Sequence, residues 1–243
     1  MIKGLFFAKR KPGWTPADFQ RYWRTTHAEI TRPLTHVLHY IQSHTLLVTY
    51  GNADLPFGEP PYDGMATMWF NSVEDRRIGN LTPAAQAAIE DQANFTELSA
   101  RRFLLATEVM QKQGAATASS VHLIALATRK PGISVEEFQR YWREHHGPLA
   151  ARIPGLRRYV QNHPFPQMYG GRNAPLCDGV AEAWFDSLED VKHATQTAEY
   201  RAVRADEPNF LDTSQVAFIL TQDFEIFRRS GADAGPKNAD HIR

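Results

Sequence analysis

Phe19-Gln20-Arg21-Tyr22-Trp23-Arg24 is spelled a second time as Phe138-Gln139-Arg140-Tyr141-Trp142-Arg143, 119 residues further on. The same offset carries Arg10-Lys11-Pro12-Gly13 onto Arg129-Lys130-Pro131-Gly132 and His27 onto His146. It also carries Tyr40, Gln42 and His44 onto Tyr159, Gln161 and His163. Past a loop that is four residues longer in the first copy, the offset becomes 115. There Asp63-Gly64 matches Asp178-Gly179, Trp69-Phe70 matches Trp184-Phe185, and Asn94-Phe95 matches Asn209-Phe210. So many ordered matches of rare residues identify a tandem duplication. The copies occupy residues 1–110 and 121–229, with a linker at 111–120 and a tail at 230–243. The linker is polar and small-residue-rich, which predicts flexibility. The tail lacks periodicity and is expected to be poorly ordered.

Each copy reads as strand, helix, strand, strand, helical stretch, strand. Ile2–Ala8 and Val121–Ala127 are short apolar runs, as in a strand covered on both faces. Lys-Pro-Gly then signals a turn. A helix follows, capped by Thr15 with Pro16 at its first position, or by Ser134 with Glu137 closing a capping box. Phe19, Trp23 and His27 share one helical face, as do Phe138, Trp142 and His146. The second strand is expected over Val37–Thr49 and Leu156–His163, where period two puts each Tyr-Gln-His triplet on one face. The third strand follows each Asp-Gly. Residues 72–98 and 187–212 read as helical, with breaks at Pro83 and Pro208, and the last strands span Arg102–Met110 and Gln215–Phe227. A βαββαβ unit leaves one sheet face bare, and an apolar bare face must be buried. Two linked copies packed sheet to sheet bury both, giving a pseudo-twofold α+β barrel with helices outside.

Composition narrows the function. Lys+Arg and Asp+Glu both number 27, so the basic surplus of a nucleic-acid binder is missing. The apolar run at the N-terminus stops before Lys9-Arg10-Lys11, which is too short for a signal peptide and charged on the wrong side. No apolar stretch reaches the roughly 20 residues a membrane span needs. Cys177 is the single cysteine, so no intramolecular disulfide can form, and a cytoplasmic location is expected.

The repeated motifs carry a resemblance. Phe-x-x-Tyr-Trp-x-x-x-His followed by Ala28 or Gly147, then Tyr-x-Gln-x-His, then Asp-Gly before an aromatic-ended strand, is similar to the EthD-domain family of the dimeric α+β barrel superfamily. The second copy follows the pattern more closely, with His145-His146-Gly147-Pro148-Leu149 and Glu182 inside Val180-Ala181-Glu182-Ala183-Trp184-Phe185. The first has Thr26, Glu29 and Thr67 at the matching positions. The resemblance implies two ferredoxin-like repeats, and for His146 a place beside a pocket. It leaves the reaction open, because the superfamily spans lactone isomerases, polyketide cyclases, decarboxylases or dehydratases, cofactor-free monooxygenases and haem enzymes.

His27 and His146 sit on the apolar stripe one turn after a Trp, so each is either a satisfied core group or an acid–base residue at a cavity. Tyr40, Gln42 and His44, with Tyr159, Gln161 and His163, must bond a ligand or one another. Glu182 is a carboxylate in the middle of an apolar strand, where burial would raise its pKa. Arg143, like Arg24, could grip a substrate carboxylate or lie solvated on the helix, beside Trp142. No His-x-x-x-His spacing supports a dedicated metal site. The reading that follows is an enzyme of lyase or isomerase type without organic cofactor. It would act on a small apolar carbonyl, lactone or phenolic substrate, with His146 as the main acid–base residue, Glu182 tuning it, and His27 as the first copy's equivalent. Because Glu182, His145 and Pro148 occur once, chemistry is expected in the second copy. Oxygen chemistry, cofactor-free or on haem, is one alternative, and a non-catalytic binding or assembly protein another. The pseudo-dimer lies within one chain and is compatible with a further homodimer.

Overall fold

A computed structural model of the chain describes residues 1–51, 60–170 and 175–230. The expected tail therefore lies, apart from Ser230, outside the described residues. Each copy supplies four strands: β1 (Ile2–Ala8), β2 (His39–Thr45), β3 (Gly64–Phe70) and β4 (Arg102–Lys112), then β5 (Val121–Ala127), β6 (Arg158–Pro164), β7 (Gly179–Phe185) and β8 (Ala217–Arg228). All neighbours pair antiparallel, and the order β1-β3-β2-β8-β5-β7-β6-β4 closes into one barrel. The two copies thus share a single eight-stranded sheet whose bare faces meet inside.

The last strand of each copy does the joining. Lys3–Phe7 of β1 takes Arg102–Ala106, while the remainder of β4, from Ala106 to Lys112, pairs with β6 of the other copy. Likewise β8 pairs with β5 through Ala217–Gln222 and with β2 through Thr221–Arg228. These strands run to 11 and 12 residues against seven for the rest, and the added length is what bonds to the other copy. Closure leaves no edge strand open to a stray chain.

The helical layer is a run of short segments. The α-helical turns α1 (Pro16–Tyr22) and α2 (Ala28–Thr31) flank a π-helical turn, Trp23–His27. The second copy repeats this with α5 (Val135–Tyr141), the π turn Trp142–His146 and α6 (Gly147–Ala150). Thr15 caps one helix through Asp18 N–H, and Ser134 with Glu137 forms the expected capping box. Gly13 and Gly132 take φ of 87° and 92° in the preceding turns, which only glycine adopts without strain. The second helical stretch is α3 (Val73–Gly79) and α4 (Pro83–Phe95) in the first copy, and α7 (Leu188–Thr195) and α8 (Ala198–Asp206) in the second. Pro83 does start a helix. Pro208 does not mark the second break: Thr197 caps α8 there, and Pro208 lies in a closing 3-10 turn, Glu207–Asn209. The linker is more anchored than its composition suggests. Its first two residues extend β4, and Ala118 O accepts a bond from Gln222 Nε2.

Strand parity divides the interior in two. Leu5, Phe7, Leu104, Ile124, Leu126 and Ile219 form an apolar cluster inside the barrel. Towards the start of β1 the interior turns ionic. Lys3 pairs with Glu182, and with Glu108 at 2.9 Å. His122 Nδ1 lies 2.9 Å from Asp223, and its Nε2 lies 3.4 Å from Glu182. Asn162 donates to Glu182, while Ser43 and Trp184 donate to Asp223. Burial opposes the charge on each group, but the opposite charges prevail: Lys3 is raised, Glu182 is lowered, and Asp223 with Glu182 pushes His122 up to about 9.

Lys3→Met would strand two carboxylates and cost ~3–5 kcal/mol at neutral pH, read from urea unfolding. Glu182 is lowered, so its contribution is complete above about pH 4 and fades as acid protonates it. The gap between wild type and Lys3→Met should accordingly narrow below that pH.

Candidate functional site

Both copies build the same constellation under their helices. His27 Nδ1 lies 2.8 Å from Asp91 Oδ2, and Tyr22 and Asn94 donate to the other oxygen, Oδ1, at 2.8 and 2.9 Å. In the second copy His146 Nδ1 lies 2.9 Å from Asp206 Oδ2, with Tyr141 and Asn209 on Oδ1. An ionised Asp fixes Nδ1 as the protonated nitrogen and leaves Nε2 as a lone-pair acceptor. Neither Nε2 has a protein partner among the described residues. Burial lowers the pKa of both imidazoles against the opposing pull of the carboxylates, so both are neutral at pH 7. Asp91 and Asp206, the partners of these histidines, were not singled out in the sequence reading. A signal was present: each stands three residues before a matched Asn-Phe.

The two copies differ in the space beside the histidine. In the first, a cavity of about 430 Å³ lies between the sheet and α3–α4, and His27, Trp23 and Tyr40 line it. Its size suits a small organic ligand, for which pockets run from about 300 to 1,000 Å³. Ala85, Ala88 and Arg76 border it. The second copy has Tyr200, Val203 and Val191 at those positions, and there they join a packed apolar cluster with Ile153, Ala194 and Tyr159. Chemistry was expected in the second copy, but there larger side chains occupy the space equivalent to the first-copy cavity.

Glu182 does not reach His146. Its strand position pairs with Val160, so it points into the barrel, whereas Gln161 points outward to the helix. Its pKa is lowered, opposite to the expected rise, because Lys3 and His122 outweigh burial. It is a barrel-interior ion-pair partner and not the tuner of His146.

The polar triplets mainly satisfy each other. Gln42 Nε2 donates to Trp23 O at 3.0 Å and to Tyr40 Oη at 3.1 Å, Trp23 Nε1 donates to Tyr40 Oη, and His44 Nε2 bonds Gln42 Oε1 at 2.9 Å. Gln161 repeats the bond to Trp142 O at 2.9 Å, and His163 bonds Gln161. Burial, aided by Arg24 and Arg143, pushes His44 down to about 3 and His163 to about 4, which leaves them neutral. Gln42, His44, Gln161 and His163 thus clamp the π turn to the strand, and within the first triplet Tyr40 alone lines the cavity. Trp142 is core, its ring against Gly179. Arg143 is exposed and pairs with Glu144 at 3.0 Å, so it anchors nothing in this cavity. His145 is exposed too.

The Asp-Gly motif is explained by the same packing. A Cβ on Gly64 would come 2.6 Å from the Trp23 ring, and one on Gly179 2.2 Å from Trp142. The Asp63 and Asp178 carboxylates hold the Arg10 and Arg129 backbone N–H groups at 2.7 and 2.8 Å. Among the described residues no cluster of three or more His, Cys, Asp or Glu side chains is arranged for a metal ion, and no helix is long and apolar enough to cross a membrane.

Two βαββαβ repeats closed into one barrel, each with a His–Asp pair beneath its helices, define a dimeric α+β barrel protein in single-chain form. Residues 11–99 and 130–214 match the EthD domain, and the chain belongs to the EthD domain family through both repeats. Its fold is similar to that of an anthrone oxidase-like protein, with a TM-score of 0.65, 10% identity, and 94% of each chain covered. It is also similar to proposed monooxygenases of Fusobacterium nucleatum (TM-score 0.59, 7% identity, 94% of this chain and 97% of that one) and Lactobacillus acidophilus (0.53, 11%, 91% and 93%). At such identities the likeness is one of fold. No curated protein matches the sequence.

Gly64→Ala should destabilise the fold by ~1–3 kcal/mol through overpacking against Trp23. Denaturant unfolding measures the cost, and a changed near-ultraviolet circular dichroism signal would report the displaced indole.

Proposed function

We propose that the chain is an acid–base enzyme that moves a proton on a small apolar carbonyl, lactone or phenolic compound in the first-repeat cavity. The observation that carries this reading is the His27–Asp91 pair at that cavity, with Nδ1 held and Nε2 unbonded. In this role Nε2 takes a proton from carbon next to a carbonyl, or from a phenolic oxygen, and Asp91 stabilises the imidazolium that forms. Tyr40 supports it. Burial pushes its pKa up to about 12, so it stays protonated, and its oxygen already accepts from Trp23 and Gln42. Its own proton is then available to a substrate oxygen on which negative charge develops. Returning the proton elsewhere on the substrate completes an isomerisation or cyclisation, and returning it to a leaving hydroxyl completes a dehydration. The second repeat acts as the built-in half of the barrel.

The test is exchange of the α-protons of 2-tetralone in D2O, followed by NMR. Wild type should exceed buffer, and His27→Asn should lose roughly 10²–10⁴ of the enhancement. His146→Asn should keep it. The rate should rise with pH through the His27 pKa, with a midpoint below the ordinary value near 6.5, because the lone pair is needed. Asp91→Asn should move that midpoint further to acid, since the carboxylate is the raising influence. Full activity in His27→Asn would refute the assignment.

A further inference from the structure

Arg76 is a cation at the cavity with no counter-ion among the described residues. Its Nε is buried and unbonded, and none of its nitrogens has a hydrogen-bond partner among the described residues. Its guanidinium lies 4.2 Å above the Phe103 ring, and burial lowers its pKa. An arginine nevertheless remains charged. The adjacent Asp75 does not neutralise it: that carboxylate is engaged with His36 at 2.7 Å and with Asn71. Arg101 and Arg102 also border the cavity, and among the described residues no Asp or Glu does. Arg101 is committed to Gln92, and Arg102 to the Ser99 and Arg101 carbonyls. The remaining wall includes several aromatic rings, with Phe6, Phe70 and Phe95 beside Phe103, among aliphatic and small residues. A half-buried unpaired cation is costly unless something anionic meets it. In the second copy, where the space is packed, the position is Val191.

We propose that the first-repeat cavity takes a flat aromatic compound bearing an anionic oxygen group, such as a carboxylate, which Arg76 receives while the ring system lies among the phenylalanines. A planar guanidinium matches a carboxylate through two parallel N–H bonds. Arg76 is thereby a specificity-determining residue. The proposal rests on the cavity being the ligand site, as in the reading above, but not on proton transfer by His27.

The experiment titrates the whole protein with 2-naphthoate and with its neutral isostere 2-naphthamide, using calorimetry. Wild type should prefer the acid by roughly tenfold or more, the gain expected of a charge-assisted bond. Arg76→Met should abolish the preference and keep the amide affinity. Arg76→Gln serves the same purpose if the Met variant does not fold, and Arg76→Lys should keep part of the preference. His27→Asn should keep all of it, so a failed acid–base assignment and a failed anion site give different results. Equal binding of acid and amide in wild type, an unchanged preference in Arg76→Met, or no binding of either compound at millimolar concentration would overturn the proposal.

Discussion

Lys3 of the first repeat and Glu182 of the second meet inside the barrel, and the joining of the two halves has to accommodate that contact. Two four-stranded sheets with bare faces could be joined by apolar packing alone. Here one end of the shared interior is apolar and the other is charged. Lys3–Glu108 and His122–Asp223 are the same pair under the repeat offsets, so the duplication placed two like cations near the pseudo-twofold axis. Glu182, which has Thr67 as its counterpart, stands between those cations and contacts both. Trp69 and Trp184 stack on His39 and His122 and close the layer. The lone carboxylate is therefore understood as the charge that makes a duplicated interior tolerable. Buried ions are retained at a desolvation cost, and removing one member leaves the others uncompensated.

The covalent link changes what each half needs. Joined copies meet at high effective concentration, so the interface between them does not have to be strong enough to gather two separate chains. The long strands β4 and β8 supply that interface through backbone bonds that depend little on side-chain identity. Side chains on the outer, helical layer were then free to diverge. The clamp of Gln on the Trp carbonyl, the Trp on Gly contact and the His–Asp pair are kept in both copies. What differs is the volume next to them.

Local signals in the sequence were readable where local chemistry decides the outcome. Strand β1, the caps at Thr15 and Ser134 and the buried stripe Phe19, Trp23, His27 follow from apolar runs, hydrogen-bonding caps and helical spacing. The duplication itself predicted the barrel. The destination of Glu182 was not readable, because both faces of β7 are covered, one by the barrel interior and one by helices. Alternation then carries no polarity contrast, and only the register with β6 tells which face is which. Asp91 lies 64 residues from His27, a separation that no periodicity spans. The cavity depends on small residues such as Ala85 and Ala88, whose significance appears only beside Tyr200 and Val203 in the other copy.

The two repeats have thus departed from each other at opposite faces of the sheet. The second has a carboxylate on its inner face and a filled outer space, and the first has a neutral Thr67 inside and an open cavity outside. A symmetric dimer of identical chains could not hold this arrangement. Any Glu at position 182 would occur twice about the axis and place two like charges at the centre, and any emptied outer layer would be emptied twice. Duplication within one chain removes that restriction. One repeat can supply the packing and charge that stabilise the barrel, while the other carries a cavity with an arginine that has no partner among the described residues.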